Sequence, residues 1–251
     1  MTNAHRDALF VLVKSLSKSE KRQFKLYVGR LGVNTDAKFL ALFNLLDRLK
    51  KYDEKAILES GIVKKAQLSN LKAHLYKQIL VSLRLNPVNQ TIRLQIREQL
   101  DFATILYQKG LYKQSLKILD KAKSIAIENE EKNIAYEIVE LEKIIETQYI
   151  TRSIPDRANE LAVQAKELSA QNVITSKLSN LSLQLYGLML KVGYVRSDDD
   201  HKRVKEYFEC HLPKHRIEML GFREKLWLYK AHLWYSFWFK TFSHRINMPV
   251  N

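Results

Sequence analysis

Cys210, His211 and His215 are the residues whose types and spacing come nearest to chemistry in this chain. Two imidazoles four residues apart share one face of a helix, and with a thiolate beside them they would supply three of the ligands zinc takes. Pro213 stands between them and disfavours a regular helix, and no fourth ligand lies nearby, so the histidines read as exposed loop residues. No base is arranged for Cys210 as a nucleophile. Asp198-Asp199-Asp200 lacks the alternating ligands, the glycine and the distal glutamate of a calcium loop. It reads as the acidic start of a helix, favoured by the helix dipole. Gly29 and Gly32 are not followed by the Gly-Lys-Ser/Thr of a phosphate loop. Glu128, Glu130, Glu131, Glu137, Glu140 and Glu142 are too many and too regular for an acid/base pair, and read as a solvated helix surface. The expectation is a non-enzymatic protein with no cofactor and no metal. An active site assembled across several elements would leave no local motif.

The elements that carry these residues are helices. Hydrophobic residues make up 46% of the 251 and charged residues 27%, a balance that argues against disorder. With 7 Gly and 4 Pro the chain is poor in the turn residues on which sheet-rich folds depend. One cysteine excludes an internal disulfide. The apolar run Ala8–Val13 is too short for a secretory signal, and the longest aromatic run, Leu226–Phe242, is broken by Lys230, His232 and Lys240. No window reaches the roughly 18 uninterrupted apolar residues of a membrane span, and a cytoplasmic protein is expected.

The net charge of +15 is unevenly spread: +10 over residues 1–92, −1 over 93–175 and +6 over 176–251. A basic first third attracts nucleic acid, an anionic membrane surface or an acidic protein. The residues of interest there are Lys18, Lys21, Arg22 and Lys25, with Lys64, Lys65 and Lys72 further on. They match no reading helix or RNA-binding signature.

Along the chain, Asn3–Leu16 predicts a first helix. Ser17 and Glu20 form a capping box ahead of a second, which Gly32 would stop. Further helices are expected from Asn34 or Thr35, from Asp53, and from about Lys65 to Leu85, where Asn86-Pro87 closes an N-terminal helical module, residues 1–86. Beyond it helix starts are expected near Asn89, Lys132, Val173 and Ile217, with turns at Gly110, near Ser153-Ile154-Pro155 and at Gly193. That spacing, about 42 residues, predicts antiparallel helix pairs repeated as a solenoid over residues 87–251.

The clearest pair is Gln99–Ala122. It resembles a tetratricopeptide repeat: Phe102 and Ala103 take the Leu-Gly positions, Leu106 the Tyr position and Gly110 the turn. Ser115, Leu119 and Ala122 take the later small, aromatic and small positions. Gln99 replaces the usual Trp, Tyr107 falls one residue late, and no Pro closes the repeat near Ile127. Ala158, Ala162 and Ala165 repeat the small-residue spacing. The resemblance implies an all-α fold, a right-handed superhelical stack of antiparallel helix pairs. It also implies an adaptor that binds a protein or peptide in the groove of its first helices, where Gln99, Thr104, Tyr107, Tyr136 and Tyr186 are the candidates. Lys113, Lys117 and Lys121 would form a solvated ridge on the outer helix.

All three tryptophans, Trp227, Trp234 and Trp238, lie in the last helix, interleaved with other aromatics that include Phe242. A helix apolar nearly all round needs cover on more than one side. The cover expected is a second copy of the chain, making a homodimer, or a partner, or further repeats of a longer solenoid; the alternative is that the helix folds back on its own repeats. Two functions follow: a protein-binding scaffold, or a nucleic-acid-associated regulator that uses the basic N-terminal module.

Overall fold

In the computed structural model the described residues are 7–31, 35–148, 156–193, 197–213 and 217–246. The Ser153–Pro155 turn, His215, Gly32 and Asn34 lie outside them, as do the side chains of Trp238 and Phe242. The fold is all-α; the described residues contain no strand. The chain divides into two compact units, residues 1–91 and 92–251.

The first unit holds α1 (Ala8–Ser15), α2 (Lys18–Leu31), α3 (Thr35–Arg48), α4 (Glu54–Glu59) and α5 (Lys65–Leu85), ending in a 3-10 turn at Pro87–Asn89. Side-chain caps start α1 and α4. Asp7 Oδ1 accepts from Phe10 N at 2.9 Å, and Asp53 Oδ1 accepts from Lys55 N and Ala56 N. Between α1 and α2 the capping box is formed as the sequence predicts: Ser17 N donates to Glu20 Oε2 at 2.8 Å, and Glu20 N to Ser17 Oγ at 3.2 Å. The apolar stripes of α1, α2, α3 and α5 then close on one core, with Phe24 and Phe43 in contact at 4.7 Å between ring centroids.

The second unit begins with three helices of 17 residues: α6 (Ile92–Gln108), α7 (Tyr112–Glu128) and α8 (Lys132–Gln148). The α6–α7 turn falls at Gly110, whose φ of +74° suits glycine. Ala103, Ser115 and Ala122 are all fully buried, and the Ser115 hydroxyl donates to the Ala103 carbonyl at 2.7 Å. Small side chains thus let α6 and α7 approach closely. Contacts between α6 and α8 keep one direction: Arg97 meets Glu137 at 3.4 Å and Tyr107 Oη donates to Gln148 Oε1 at 2.9 Å. The two helices therefore run parallel, with α7 antiparallel between them.

Next comes α9 (Arg157–Val192), 36 residues without a break. The helix start expected near Val173 is absent. Gln171-Asn172-Val173 holds neither Gly nor Pro, so nothing in the backbone chemistry stops the helix there. Its first half packs on α8 through Leu161, Ala165 and Leu168, whereas Ala158 and Ala162 are exposed, so the small-residue spacing expected there does not mark a contact. Gly193, at φ +76°, ends α9. A shorter α10 (Asp198–His211) follows, then α11 (Phe222–Ile246). The cap of α10 is Ser197, whose Oγ accepts from Asp200 N at 3.1 Å; the aspartates occupy its first turn.

Charge is also buried in this unit. Glu142 has no exposed surface, and Glu131 is 9% exposed. Both were expected on a solvated face. Glu142 instead sits among α7, α8 and α9, where Lys123 Nζ donates to Oε2 at 2.6 Å and Arg157 Nη2 to Oε1 at 3.2 Å. Glu131 is held by Arg223 at 2.7 Å and by Arg93. A carboxylate is buried only with such partners; the pairing residues lie 15 to 92 positions away, beyond the reach of local pattern.

Candidate partner-binding groove

Helix α11 lies along the second half of α9. Thr175 Oγ1 donates to Glu224 Oε1 at 2.6 Å, Leu178 and Leu228 share one cluster, Leu181 and Ala231 another, and Tyr186 meets Trp234 at 4.8 Å. Positions rise together on both helices, so they run parallel. Helix α10 covers one side of this pair: Phe208 stacks on Tyr235 at 4.3 Å, and Tyr207 Oη donates to Gln184 Oε1 at 2.8 Å.

The other side of the α9–α11 pair is a groove of about 550 Å³. Its walls are Leu183 and Tyr186 from α9 and Trp227, Leu233 and Trp234 from α11, with the buried Ser182 among its lining residues. Leu183 is 67% exposed and Leu233 is 53% exposed. Periodicity explains the arrangement. Leu178, Leu181 and Leu185 turn inward, while Leu183, Tyr186 and Leu190, spaced three and four apart, make a second stripe that faces solvent. On α11, Leu228 and Ala231 turn inward, and Leu226, Tyr229, Leu233 and Phe237 form the outward stripe. Lys230 Nζ lies 4.6 Å from the centre of the Trp227 ring, a cation–π contact at the edge of the groove.

The terminal helix therefore folds back on its own chain along one side and leaves an apolar stripe along the other. Trp227 and Trp234 are half-buried and line the groove; Trp238 and Phe242 cannot be assigned to it, their side chains lying outside those described. Tyr186 is the one expected groove tyrosine that joins them. The remaining candidates do not converge. Thr104 returns its hydroxyl to the Leu100 carbonyl at 2.8 Å, Tyr107 is bound to Gln148 and packs on Tyr112, and Tyr136 belongs to the α6–α9 core. Gln99 is half-buried on α6. The signal for the groove was present in the sequence as Leu183, Tyr186 and Leu190 at helical spacing, but it points outward only once the length of α9 is known.

In the first unit Lys18, Arg22, Lys25, Lys64 and Lys65 are exposed. Two of the basic residues have internal work instead. Lys21 pairs with Asp47 at 2.7 Å, and Lys72 pairs with Asp7 and donates to Tyr52 Oη at 3.0 Å. Burial would lower the Lys72 pKa, but its bonds to Asp7 and Tyr52 outweigh that and raise it.

His211 is tied to the Tyr207 carbonyl at 2.8 Å and Cys210 is exposed on α10. Among the described residues no cluster of three or more His, Cys, Asp or Glu is placed to hold a metal ion, and no helix is long and apolar enough to cross a membrane. No family model matches the chain, nor does any curated protein or solved structure.

Proposed function

We propose that this chain is a non-enzymatic scaffold or adaptor that binds a protein or peptide in the α9–α11 groove. The observation that carries the reading is the exposed apolar lining: two aromatic walls and two half-exposed or more exposed leucines in one concavity. Grooves between helices are the usual seat of an amphipathic peptide, and large apolar surface left open on a chain this charged marks an interaction site. A tetratricopeptide-like superhelix in the cytoplasm is the wider frame of the proposal. The small-residue contact between α6 and α7 and the parallel course of α6 and α8 support it.

Peptide display against the whole chain tests this reading. Selected peptides should bind the wild type and lose binding to Leu183→Asp and to Leu233→Asp. Both sites are exposed enough for the fold to survive, which circular dichroism would check. Failure to enrich any peptide, or peptides indifferent to both substitutions, would remove the groove as the site.

A second reading rests on the first unit, where the exposed Lys18, Arg22, Lys25, Lys64 and Lys65 accompany a +10 charge over residues 1–92. It makes the chain a nucleic-acid-associated regulator. Phosphate contacts would bind single-stranded RNA or duplex DNA with steep salt dependence. Anisotropy titrations at low and near-physiological salt decide it: binding that survives physiological salt and weakens in Arg22→Glu and Lys65→Glu supports a nucleic-acid role, and binding lost with modest salt removes it.

A further inference from the structure

We infer that the occupant of the α9–α11 groove is an acidic amphipathic helix, with leucine or aromatic anchors on one face and Asp or Glu on its flanks. This rests on the groove reading above and specifies its ligand.

The argument is one of charge. After Glu167, α9 has no acidic residue, and after Glu224 neither has α11. Glu224 itself is 2% exposed and already bound to Lys132 and Thr175, so it presents no charge to the groove. The charged residues these helix segments do carry are all basic. Lys230 lines the groove, Lys177 and Lys191 are exposed on α9, and Lys225 is half-exposed on α11. An apolar trough whose one charged lining residue is Lys230 is complementary to an apolar ridge flanked by carboxylates.

The same pattern weighs against the other occupants. A second copy offering this face would bring Lys230 near its own counterpart, and like charges across an interface disfavour it. An anionic membrane would meet the same lysines, but its surface is flat, whereas the apolar walls here enclose a trough between two parallel helices. A helix with its side chains is a rod about 10 Å across, a shape that would lie along such a trough. Trp227 and Trp234 would take the anchors, since buried aromatics contribute most to such contacts.

Three designed helices of about 18 residues, five turns, test the inference on the full chain. All carry Leu and Trp at positions i, i+3, i+4 and i+7; their flanks carry Glu, Gln or Lys. Fluorescence anisotropy should show the Glu helix binding at least about tenfold more tightly than the Gln helix at low salt, an advantage that shrinks as salt screens the flanks. The Lys helix should bind least. Leu183→Asp should abolish binding of all three, and Lys230→Glu should erase the preference for Glu over Gln. Equal binding of the Glu and Gln helices, both lost in Leu183→Asp, overturns the acidic ligand while the groove reading stands. No binding by any helix overturns both. Vesicles of phosphatidylcholine and phosphatidylserine in equal parts form the next arm: if they bind and the helices do not, the face is a membrane surface. Sedimentation showing self-association that Leu183→Asp removes would make the occupant a second copy, which also overturns the inference.

Discussion

Replacing Lys123 by methionine should weaken the second unit, by an amount that depends on pH. Glu142 is wholly buried, with Lys123 on one oxygen at 2.6 Å and Arg157 on the other at 3.2 Å. Burial pushes the Glu142 carboxyl above its usual range, and Lys123 opposes that shift. Methionine keeps most of the apolar volume of lysine but leaves the carboxylate to Arg157, whose side chain is 20% exposed. Removing one partner of a buried pair destabilises by ~3–5 kcal/mol, and the surviving arginine places the expectation near ~3 kcal/mol. The pH dependence follows from the raised pKa. The folded state holds the Glu142 proton more tightly, so the penalty for ionising it is absent below the unfolded value of about 4.3 and grows as pH rises through the folded value. Loss of Lys123 raises the folded pKa further. The deficit against wild type should therefore be largest near pH 8 and shrink towards pH 5. Urea unfolding followed by tryptophan emission reads this unit alone, because all three tryptophans lie in α11; circular dichroism reads both units, and the two transitions need not coincide. A double variant, Lys123→Met with Glu142→Leu, removes both charges and should recover most of the loss. A deficit under about 1 kcal/mol at pH 8, or one that ignores pH, would mean that water reaches Glu142 and that the pair is not a buried one.

Three further outcomes are expected. Thr175→Val removes the hydroxyl that donates to Glu224 at 2.6 Å. Burial would raise the Glu224 pKa, but Thr175, the residue's own backbone N–H and Lys132 outweigh it and hold the carboxyl below its usual range. That stability is present above the unfolded pKa and lost as pH falls through the folded one. The variant should thus be less stable than wild type by ~1.5–3 kcal/mol at pH 7, with the gap closing in acid, as urea midpoints would show. Gly221→Ala places a Cβ 2.6 Å from both Glu224 Oε2 and Lys132 Nζ. These are the flexible ends of side chains and can shift, so a thermal melt of the variant should show a loss of no more than ~1 kcal/mol. Ser17→Ala breaks the box between α1 and α2 and should lower the stability of the first unit by ~1 kcal/mol, measured by circular dichroism, with tryptophan emission unmoved.

What the sequence made legible was local. The Ser17–Glu20 box, the turn at Gly110, the end of α5 before Asn86-Pro87 and the close approach of Ala103 to Ser115 each depend on residues a few positions apart, or on one side chain small enough for a neighbour. What it hid depended on partners far along the chain. Glu142 looked like its solvated neighbours because Lys123 and Arg157 cannot be paired with it by spacing. Lys21 and Lys72 looked like part of a binding patch because Asp47 and Asp7 reach them only after folding. The groove was half legible: the aromatic helix and Tyr186 announced themselves, but Leu183 in the facing wall did not.

The length of α9 is what turned that wall outward. Its inward stripe begins as Leu161, Ala165 and Leu168 against α8, and on a 3.6-residue period the next inward positions are Asn172 and Thr175. Those two are polar, and both are engaged. Asn172 Nδ2 donates to the Lys132 carbonyl at 3.4 Å, and Thr175 donates to Glu224, which also takes Lys132 at 3.1 Å. The start of α8, the start of α11 and the middle of α9 therefore meet in a knot of hydrogen bonds where an apolar contact would otherwise continue. Beyond it the stripe resumes as Leu178, Leu181 and Leu185, rotated by one residue, about 100°. The same helix thus serves α8 on one face and α11 on another without a break. That rotation leaves Leu183 and Tyr186 on the flank of α11, where they meet Trp227 and Trp234 and complete the groove. A repeat broken at Val173 would have freed the second half to turn, and the groove would have lost its fixed wall.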